Sequence, residues 1–337
     1  MLPHRHANPE GWRTRQAGGL PYFCSVAVPG CAIGPANNGL LLALHFIHAM
    51  SVELLAAEEI RQAVASALVE DIGSGDVTTL AVVPETAQAK AVVRAREPLV
   101  VAGLALAEAA FRALDTEVRV TYATQDAQRV TGGKPLLEIA GTARALLSAE
   151  RVALNFLQRL CGVATLTAQF VDAIKDTRAQ ILDTRKTTPG WRRLEKYAVT
   201  CGGGRNHRLG LFDMVLIKDN HLAALRNESP NAIAAAVQRA RAQYPSLKVE
   251  VEADTLEQVE QAVAAGADMV LLDNMNLLQL RLAVQKTKGH ALAEASGGVT
   301  LAGVRAIAET GVDFISVGAL THSARAVDIG LDFEDKS

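Results

Sequence analysis

Six short aliphatic runs alternate with helical segments across residues 180–318, and each run ends at a polar residue or a glycine. The runs occupy 180–183, 214–218, 248–252, 269–273, 291–294 and 314–318. Amphipathic segments lie between them at 232–243, 256–265, 277–286 and 304–309. Two of these segments stop at Gly266 and Gly311, and a glycine is typical of a helix C-terminus. Strand–helix units that repeat about every 21 to 23 residues predict a parallel β/α barrel.

The predicted strands carry charged side chains where they end. In β/α barrels the loops after the strands hold the catalytic groups. The corresponding positions in this chain are Asp183 to Lys186, Lys218, Glu252, Asp273, Glu294 to Ser296, and Gly318. Strand ends that only filled a core would not need so many charges, so we expect an active site on this face.

Residues 50–160 follow a different pattern, which predicts a separate α+β domain. Helices are expected from Leu55 to just before Asp71, at 104–114 and at 143–160. Extended segments are expected at 89–94, 99–101, 118–122 and 136–139. This combination is typical of an antiparallel sheet covered by helices. Since 49% of the residues are hydrophobic and only 4% aromatic, we expect a core of Ala, Val, Leu and Ile.

Residues 1–49 fit neither pattern. An apolar stretch at 40–47 follows several arginines, but no clear cleavage site accompanies it, so a targeting signal is not favoured. We expect a disordered extension or a misassigned start ahead of Met50, with Ser51 as a helix cap. Cys24 and Cys31 have no partner ligands nearby, so no metal site is expected there.

Charge and cysteine content argue against several classes of protein. The 34 Lys and Arg residues against 36 Asp and Glu give a net charge of -2, whereas a nucleic-acid coat needs a basic excess. Four cysteines in 337 residues do not form a disulfide framework, so a cytoplasmic location is expected. No apolar run reaches the roughly 18 to 20 residues that cross a bilayer, so no membrane association is expected.

Positive charge is concentrated between residues 183 and 221. Eight cations stand there against four carboxylates, in a chain that is slightly negative overall. Arg and Lys converging at one barrel mouth favour an anionic substrate, because guanidinium groups match carboxylates and phosphates. We expect Arg192, Arg193 and Lys196 to face water or a partner subunit instead.

Two acids, Glu252 and Asp273, end consecutive predicted strands. Opposite a polyanion they can hold Mg²⁺, usually through water, or stabilise a developing cationic centre. Pairing with Lys218 or Lys186 is the structural alternative. We choose Glu252 because it lies near the carboxyl end of its strand, and we expect Glu250 to lie off this face.

Glycines follow the last two predicted strands. Ser296, Gly297 and Gly298, together with Gly318, are typical of the phosphate cup of many barrels, and His322 can add a donor. The run Gly202–Gly204 lacks the strand and helix of a nucleotide-binding fingerprint, so we interpret it as a flexible loop. Cys161 and Cys201 are expected to be buried packing residues.

Several ordered motifs resemble one enzyme family over roughly residues 51–333. They are DTRKTTPG at 183–190, LEKYAV at 194–199, GGGRNHR at 202–208, LIKDNH at 216–221, VEVE at 249–252, LLDN at 271–274, ASGG at 295–298 and VGALTH at 317–322. Together they resemble nicotinate-nucleotide pyrophosphorylase, also called quinolinate phosphoribosyltransferase.

The resemblance implies a pentosyltransferase of NAD biosynthesis. It would join quinolinate to phosphoribosyl pyrophosphate, giving nicotinate mononucleotide, pyrophosphate and CO₂, with Mg²⁺ as cofactor. It implies an incomplete β/α barrel (a type II phosphoribosyltransferase) at 161–320. An N-terminal α+β sandwich at 50–160 would be joined by residues 321–337. Family members are homodimers with shared active sites, and the resemblance does not decide between a dimer and a hexamer.

The resemblance also implies residue roles. Quinolinate would contact Thr184, Arg185, His207, Arg208, Lys218 and, from the neighbouring subunit, Arg151. Phosphoribosyl pyrophosphate would contact Lys186, Glu252, Asp273, Ser296, Gly297, Gly298, Gly318 and His322. The catalytic groups would be Lys186, Glu252 and Asp273, the last two also holding Mg²⁺.

Three other functions are weighed. A molybdenum-transport-linked paralogue would share the fold and bind another anion, but the series Arg185, His207, Arg208 and Lys218 favours a pyridine dicarboxylate. A class I aldolase-like barrel would use Lys218 as a Schiff base. A metabolite-binding regulator would have a degenerate site, and none of the positions named above is degenerate.

Overall fold

The computed structural model describes residues 55–334. The proposed extension at 1–49 and the expected cap at Ser51 therefore lie outside the described residues. The first half of the described chain contains four helices and five strands. In chain order they are α1 (Ala57–Ile72), α2 (Val77–Val82), β1 (Gln88–Ala95), β2 (Leu99–Val100), α3 (Leu104–Leu114), β3 (Arg119–Tyr122), β4 (Arg129–Val130), β5 (Pro135–Thr142) and α4 (Ala143–Ala173).

The second half alternates strands and helices. Its elements are β6 (Gln180–Leu182), α5 (Arg192–Cys201), β7 (Val215–Ile217), α6 (Asp219–Ala224), α7 (Ala232–Gln243), β8 (Val249–Ala253), α8 (Leu256–Ala264), β9 (Met269–Asp273), α9 (Leu277–Thr287), β10 (Leu292–Ser296), α10 (Val304–Ala308), β11 (Phe314–Ser316), α11 (Ala319–His322) and β12 (Ile329–Phe333).

Strands β6 to β11 form one parallel sheet. Its order is β6-β11-β10-β9-β8-β7, so it has six strands where a complete barrel has eight. The predicted incomplete β/α barrel is thereby confirmed. The register sets Asp273 of β9 beside Ser296 of β10, so acidic and small polar strand ends meet at one edge.

The other strands form a four-stranded antiparallel sheet and a two-stranded sheet of β2 and β4. The order of the four-stranded sheet is β12-β1-β5-β3, and β12 reaches it only after the whole barrel has been traversed. Ala91 of β1 pairs with Phe333 on one side and with Ile139 on the other. Helices α3 and α4 supply buried apolar side chains to its core, among them Leu106, Phe111 and Leu146.

Helix α4 is longer than the sequence pattern predicts. The pattern places its end at residue 160, but the helix is 31 residues long, runs from Ala143 to Ala173 and passes through the expected domain boundary. The glycine at 162 is a packing position. A Cβ atom there would lie 1.9 Å from the Arg325 carbonyl oxygen, so only glycine lets the returning chain cross the helix at this point.

Candidate active site

A pocket of about 730 Å³ opens at the carboxyl ends of the barrel strands. It is lined by strand ends and the loops that follow them, as expected for this architecture. Thirteen predicted site residues line it: Thr184, Arg185, Lys186, His207, Arg208, Lys218, Glu252, Asp273, Ser296, Gly297, Gly298, Gly318 and His322. Arg151 does not line it and lies on the exposed side of α4.

One side of the pocket is cationic. The Arg208 guanidinium donates to the Met214 carbonyl oxygen at 3.3 Å. Burial lowers the pKa of Arg208, and the neighbouring Arg185 charge lowers it further. The buried Arg185 Nε has no hydrogen-bond partner within residues 55–334. Two neighbouring guanidinium groups with unpaired N–H donors suit an anion that carries two carboxylates.

The His207 ring contacts two wholly buried carboxylates. Its Nε2 atom lies 3.0 Å from Glu250 Oε2 and 3.5 Å from Glu294 Oε2. Burial lowers the pKa of His207, but Glu294 and Glu250 outweigh that effect and raise it to about 10. Desolvation and the nearby Glu294 charge raise the pKa of Glu250.

The expectation that Glu250 lies off the site's face was wrong. Residues two apart in a strand share a face, so Glu250 and Glu252 of β8 both point inward. Within residues 55–334, His207, Glu250 and Glu294 are also the one group of three side chains spaced to hold a metal ion. The sequence signal for Glu294 was present, since it ends a predicted strand, but it was not assigned to the site.

Two carboxylates, Glu252 and Asp273, also line the pocket. Lys218 donates to Glu252 Oε2, so the pairing considered as a structural alternative is formed. The Asn274 amide donates to Asp273 Oδ2 at 2.6 Å. These contacts engage one oxygen of each carboxylate. The remaining oxygens are hard donors of the kind that Mg²⁺ prefers, so the residues fit that ion.

Glycines form the rim near Ser296. Gly297 and Gly298 have φ angles of +95° and +57°, which side chains rarely adopt. Gly318 lies against two other pocket residues, since a Cβ atom on it would be 3.0 Å from Lys186 Cδ and 3.1 Å from His322 Nε2. Gly297 and Gly298 are exposed, whereas Gly318 is partly buried.

The expectation that Lys196 faces water or a partner was wrong, whereas Arg192 and Arg193 are partly exposed. Arg192 donates to Thr187 Oγ1 and to the Leu209 carbonyl oxygen. Arg193 donates to Glu59 of α1. Lys196 is 2% exposed and donates to Asp183, which is 0% exposed. Local charge density could not show the burial of Lys196, because Asp183 follows β6 and His207 lies in the loop after α5, and only the fold brings them together.

Gly202 and Gly204 pack against neighbouring side chains. A Cβ atom on Gly202 would lie 2.4 Å from the Ala164 carbonyl oxygen, and one on Gly204 would lie 2.8 Å from Thr167 Cγ2. The packing does not support the interpretation of this run as a flexible loop. Cys161 and Cys201 are buried, as expected, and burial raises the pKa of both thiols, which makes them poor nucleophiles.

No helix among residues 55–334 combines the length and the apolar character that a membrane crossing requires.

Comparisons with known proteins cover nearly all of the described chain. Residues 76–161 match the family described as "Quinolinate phosphoribosyl transferase, N-terminal domain", and residues 163–332 match the corresponding C-terminal domain. The chain is 45% identical over 281 residues to the nicotinate-nucleotide pyrophosphorylase [carboxylating] of Mycobacterium leprae, covering 81% of this chain and 96% of the relative.

Two further matches agree. A probable enzyme of the same name from Bacillus subtilis is 43% identical over 264 residues, covering 78% of this chain and 89% of the relative. The solved structure of the nicotinate-nucleotide pyrophosphorylase from Francisella tularensis is similar with a TM-score of 0.79 and 39% identity. That match covers 84% of this chain and 99% of the other.

Proposed function

The chain belongs to the quinolinate phosphoribosyl transferase family, and we propose that it transfers the phosphoribosyl group of phosphoribosyl pyrophosphate to quinolinate. The reaction releases pyrophosphate and CO₂ and yields nicotinate mononucleotide for NAD biosynthesis. The observation that carries the proposal is that one pocket is lined both by the cations Arg185 and Arg208 and by the carboxylates Glu252 and Asp273. We call these two groups of residues the cationic side and the acidic side.

The cationic side is the site for quinolinate. Arg185, Arg208 and Lys218 bind its two adjacent carboxylates, with Thr184 and His207 completing the contacts. Guanidinium groups hold carboxylates in a fixed plane, so they also orient the pyridine nitrogen. That nitrogen attacks the anomeric carbon of the ribose, and the bond from this carbon to the pyrophosphate oxygen breaks.

The acidic side stabilises the charge that develops in this step. As pyrophosphate leaves, the anomeric carbon becomes cationic, and the Glu252 and Asp273 carboxylates stabilise it electrostatically. Lys186 binds the phosphates of the donor substrate, and its 5′-phosphate rests on Ser296, Gly297, Gly298, Gly318 and His322. Glu252 and Asp273 would also hold Mg²⁺, which neutralises pyrophosphate charge when bound.

Loss of CO₂ follows from the product of the transfer. The substituted pyridine ring is cationic, so the electron pair left when the adjacent carbon–carbon bond breaks is held on the ring carbon. A proton then replaces the carboxylate at that carbon. This sequence needs no Schiff base, and Lys218 already donates to Glu252, which disfavours the aldolase-like alternative. Borohydride should therefore trap no adduct with a carbonyl substrate.

The proposal is tested by incubating the protein with quinolinate, phosphoribosyl pyrophosphate and Mg²⁺ and measuring nicotinate mononucleotide and CO₂. Removing Mg²⁺ with a chelator should abolish turnover, and adding the ion back should restore it. Turnover with nicotinate but none with quinolinate would contradict the proposal. Binding of an oxyanion such as molybdate without turnover would favour the transport-linked paralogue.

We propose that the active enzyme is a homodimer with shared sites, and a hexamer built from such dimers is equally compatible. Arg151 is exposed on α4 and does not line this chain's own pocket, so it is available to a neighbouring subunit. Mixing two inactive variants, Arg151→Ala and Lys186→Ala, should restore activity, since a mixed dimer contains one intact site. No recovery after subunit exchange would argue for unshared sites.

We also propose a cytoplasmic location, which the low cysteine content of the chain supports.

A further inference from the structure

Helix α5 contributes no residue to the pocket, yet it carries two adjacent buried charges that reach the pocket's supporting segments. Glu195 is 0% exposed and Lys196 is 2% exposed. A buried charge must have a partner, because its desolvation is otherwise prohibitive. The partners of these two charges lie in two different parts of the site.

Lys196 and Asp183 hold the main chain of His207 from both sides. Lys196 Nζ donates to Asp183 Oδ1 at 2.5 Å and to the His207 carbonyl oxygen at 2.9 Å. Asp183 Oδ1 also accepts the His207 backbone N–H at 2.8 Å. The Asn206 amide, in the orientation that satisfies its hydrogen bonds, donates to Asp183 Oδ2 at 2.8 Å. This ion pair therefore sets the position of the segment that bears His207 and Arg208.

Glu195 and Arg159 hold the segments on the phosphoribosyl side. Glu195 accepts hydrogen bonds from the Thr188 backbone N–H and from Thr188 Oγ1, both at 3.0 Å, and pairs with Arg159 at 2.7 Å. Arg159 donates in turn to the Thr321 and Ala324 carbonyl oxygens. Thr321 Oγ1 donates to the Lys186 carbonyl oxygen at 2.7 Å. This second pair ties the Lys186 loop to the segment that follows Gly318.

We propose that the two pairs are separate positioning devices, Asp183–Lys196 for quinolinate and Arg159–Glu195 for phosphoribosyl pyrophosphate. The inference rests on the proposed function, which assigns the two sides of the pocket to these substrates. Charge-assisted hydrogen bonds to buried groups are strong and directional, so they fix loop backbones that lack the regular hydrogen bonds of a helix or sheet. Neither pair touches substrate.

The test compares two double variants that each remove one ion pair from the same helix. Asp183→Asn with Lys196→Met should raise the KM for quinolinate about tenfold and leave that for phosphoribosyl pyrophosphate within about twofold. Arg159→Met with Glu195→Gln should do the reverse. Both doubles leave no isolated buried charge, which keeps folding feasible. Each double is the matched control for the other.

Milder variants cover the case in which a double variant does not fold. Asn206→Ala removes the amide that donates to Asp183 and to the Lys196 carbonyl oxygen, and Thr321→Val removes the hydroxyl that donates to the Lys186 and Gly318 carbonyl oxygens. Each should raise the corresponding KM about threefold. A merely structural role would change the melting temperature without separating the two KM values. Equal shifts in both KM values, or unchanged KM values in folded variants, would overturn the inference.

Wild-type turnover is measured first, so that the two proposals fail separately. A folded wild type that does not convert quinolinate contradicts the proposed function, and the inference falls with it. An active wild type whose variants show no separation of the two KM values contradicts the inference alone.

Discussion

Gly297 lies so close to Asn274 that a Cβ atom on the glycine would stand 2.2 Å from the Asn274 amide oxygen and 2.8 Å from its backbone nitrogen. Asn274 itself has a φ of +53°, and its amide donates to Asp273. Two adjacent strand ends are thus joined by one contact that only glycine permits, and the contact adjoins the Asp273 carboxylate.

Gly297→Ala should therefore displace Asn274 and with it Asp273. We expect the KM for phosphoribosyl pyrophosphate to rise at least about tenfold, since the displaced groups lie where that substrate binds. Steady-state kinetics with this substrate varied is the measurement. Gly266→Ala is the matched control: its φ is +78°, a Cβ atom there meets nothing within 4 Å, and it does not line the pocket. An equal effect of both variants would point to backbone strain instead of the Asn274 contact.

Arg208→Ala should impair quinolinate binding far more than phosphoribosyl pyrophosphate binding. Losing a partly buried guanidinium that pairs with a carboxylate costs about 2 kcal/mol or more, so the KM for quinolinate should rise at least about thirtyfold. Arg305→Ala on α10, whose side chain is half exposed and pairs with Glu309, should change neither KM. Equal loss of both affinities in Arg208→Ala would contradict the carboxylate-binding role.

Glu294→Gln should make the protein more stable. The carboxylate is 0% exposed, and both its oxygens lack a hydrogen-bond partner within residues 55–334, although the His207 ring is nearby. Glu250 and Glu294 are two buried carboxylates that share the single His207 ring and repel each other, so removing one of them should add about 1 kcal/mol and raise the melting temperature by roughly 2 to 4 °C. Glu309→Gln, at an exposed position, is the control for scanning calorimetry. A lower melting temperature in Glu294→Gln would mean that the charge is a net stabilising partner of His207.

Acid should destabilise the wild type more steeply than Glu97→Gln. Hydrogen bonds from Arg325 and from the Asp328 backbone N–H lower the pKa of Glu97 from 4.5 to about 2. A lowered folded-state pKa contributes stability that is present above pH 4.5 and is lost as the pH falls toward 2. Urea unfolding at several pH values in this window checks the slope. Glu85→Gln, at an exposed position, should keep the wild-type slope, and a wild-type slope in Glu97→Gln would refute the prediction.

Sequence patterns predicted most of the barrel because its strands and helices are locally coded. Helix 232–243 and strand 269–273 match the observed α7 and β9 at both ends, since their apolar periodicity is uninterrupted. The pocket residues could be named because parallel strands end at one edge of a sheet. Helix α5 was not predicted, because its charges were interpreted as solvent-facing.

The supporting residues could not be predicted, because their roles depend on partners in other loops and strands that only the fold brings together. Lys196 was expected at the surface, but Asp183 and the His207 backbone enclose it. Glu250 was expected to lie off the site although it shares a face of β8 with Glu252. Its contact with His207 and its proximity to Glu294 are visible only in the structure. A charge pattern gives the number of charged side chains in a segment, whereas burial decides which of them must pair with an opposite charge.

The return of β12 to the four-stranded antiparallel sheet has a consequence for folding during translation. Arg96, just after β1, pairs with Asp332 of β12 across 236 residues of chain. During translation the long strand β1 is exposed at one edge until the entire barrel has left the ribosome. An unpaired strand edge invites association with other nascent chains. Completion of the sheet is therefore a late event, and shortening the chain before Ile329 would leave that edge permanently open.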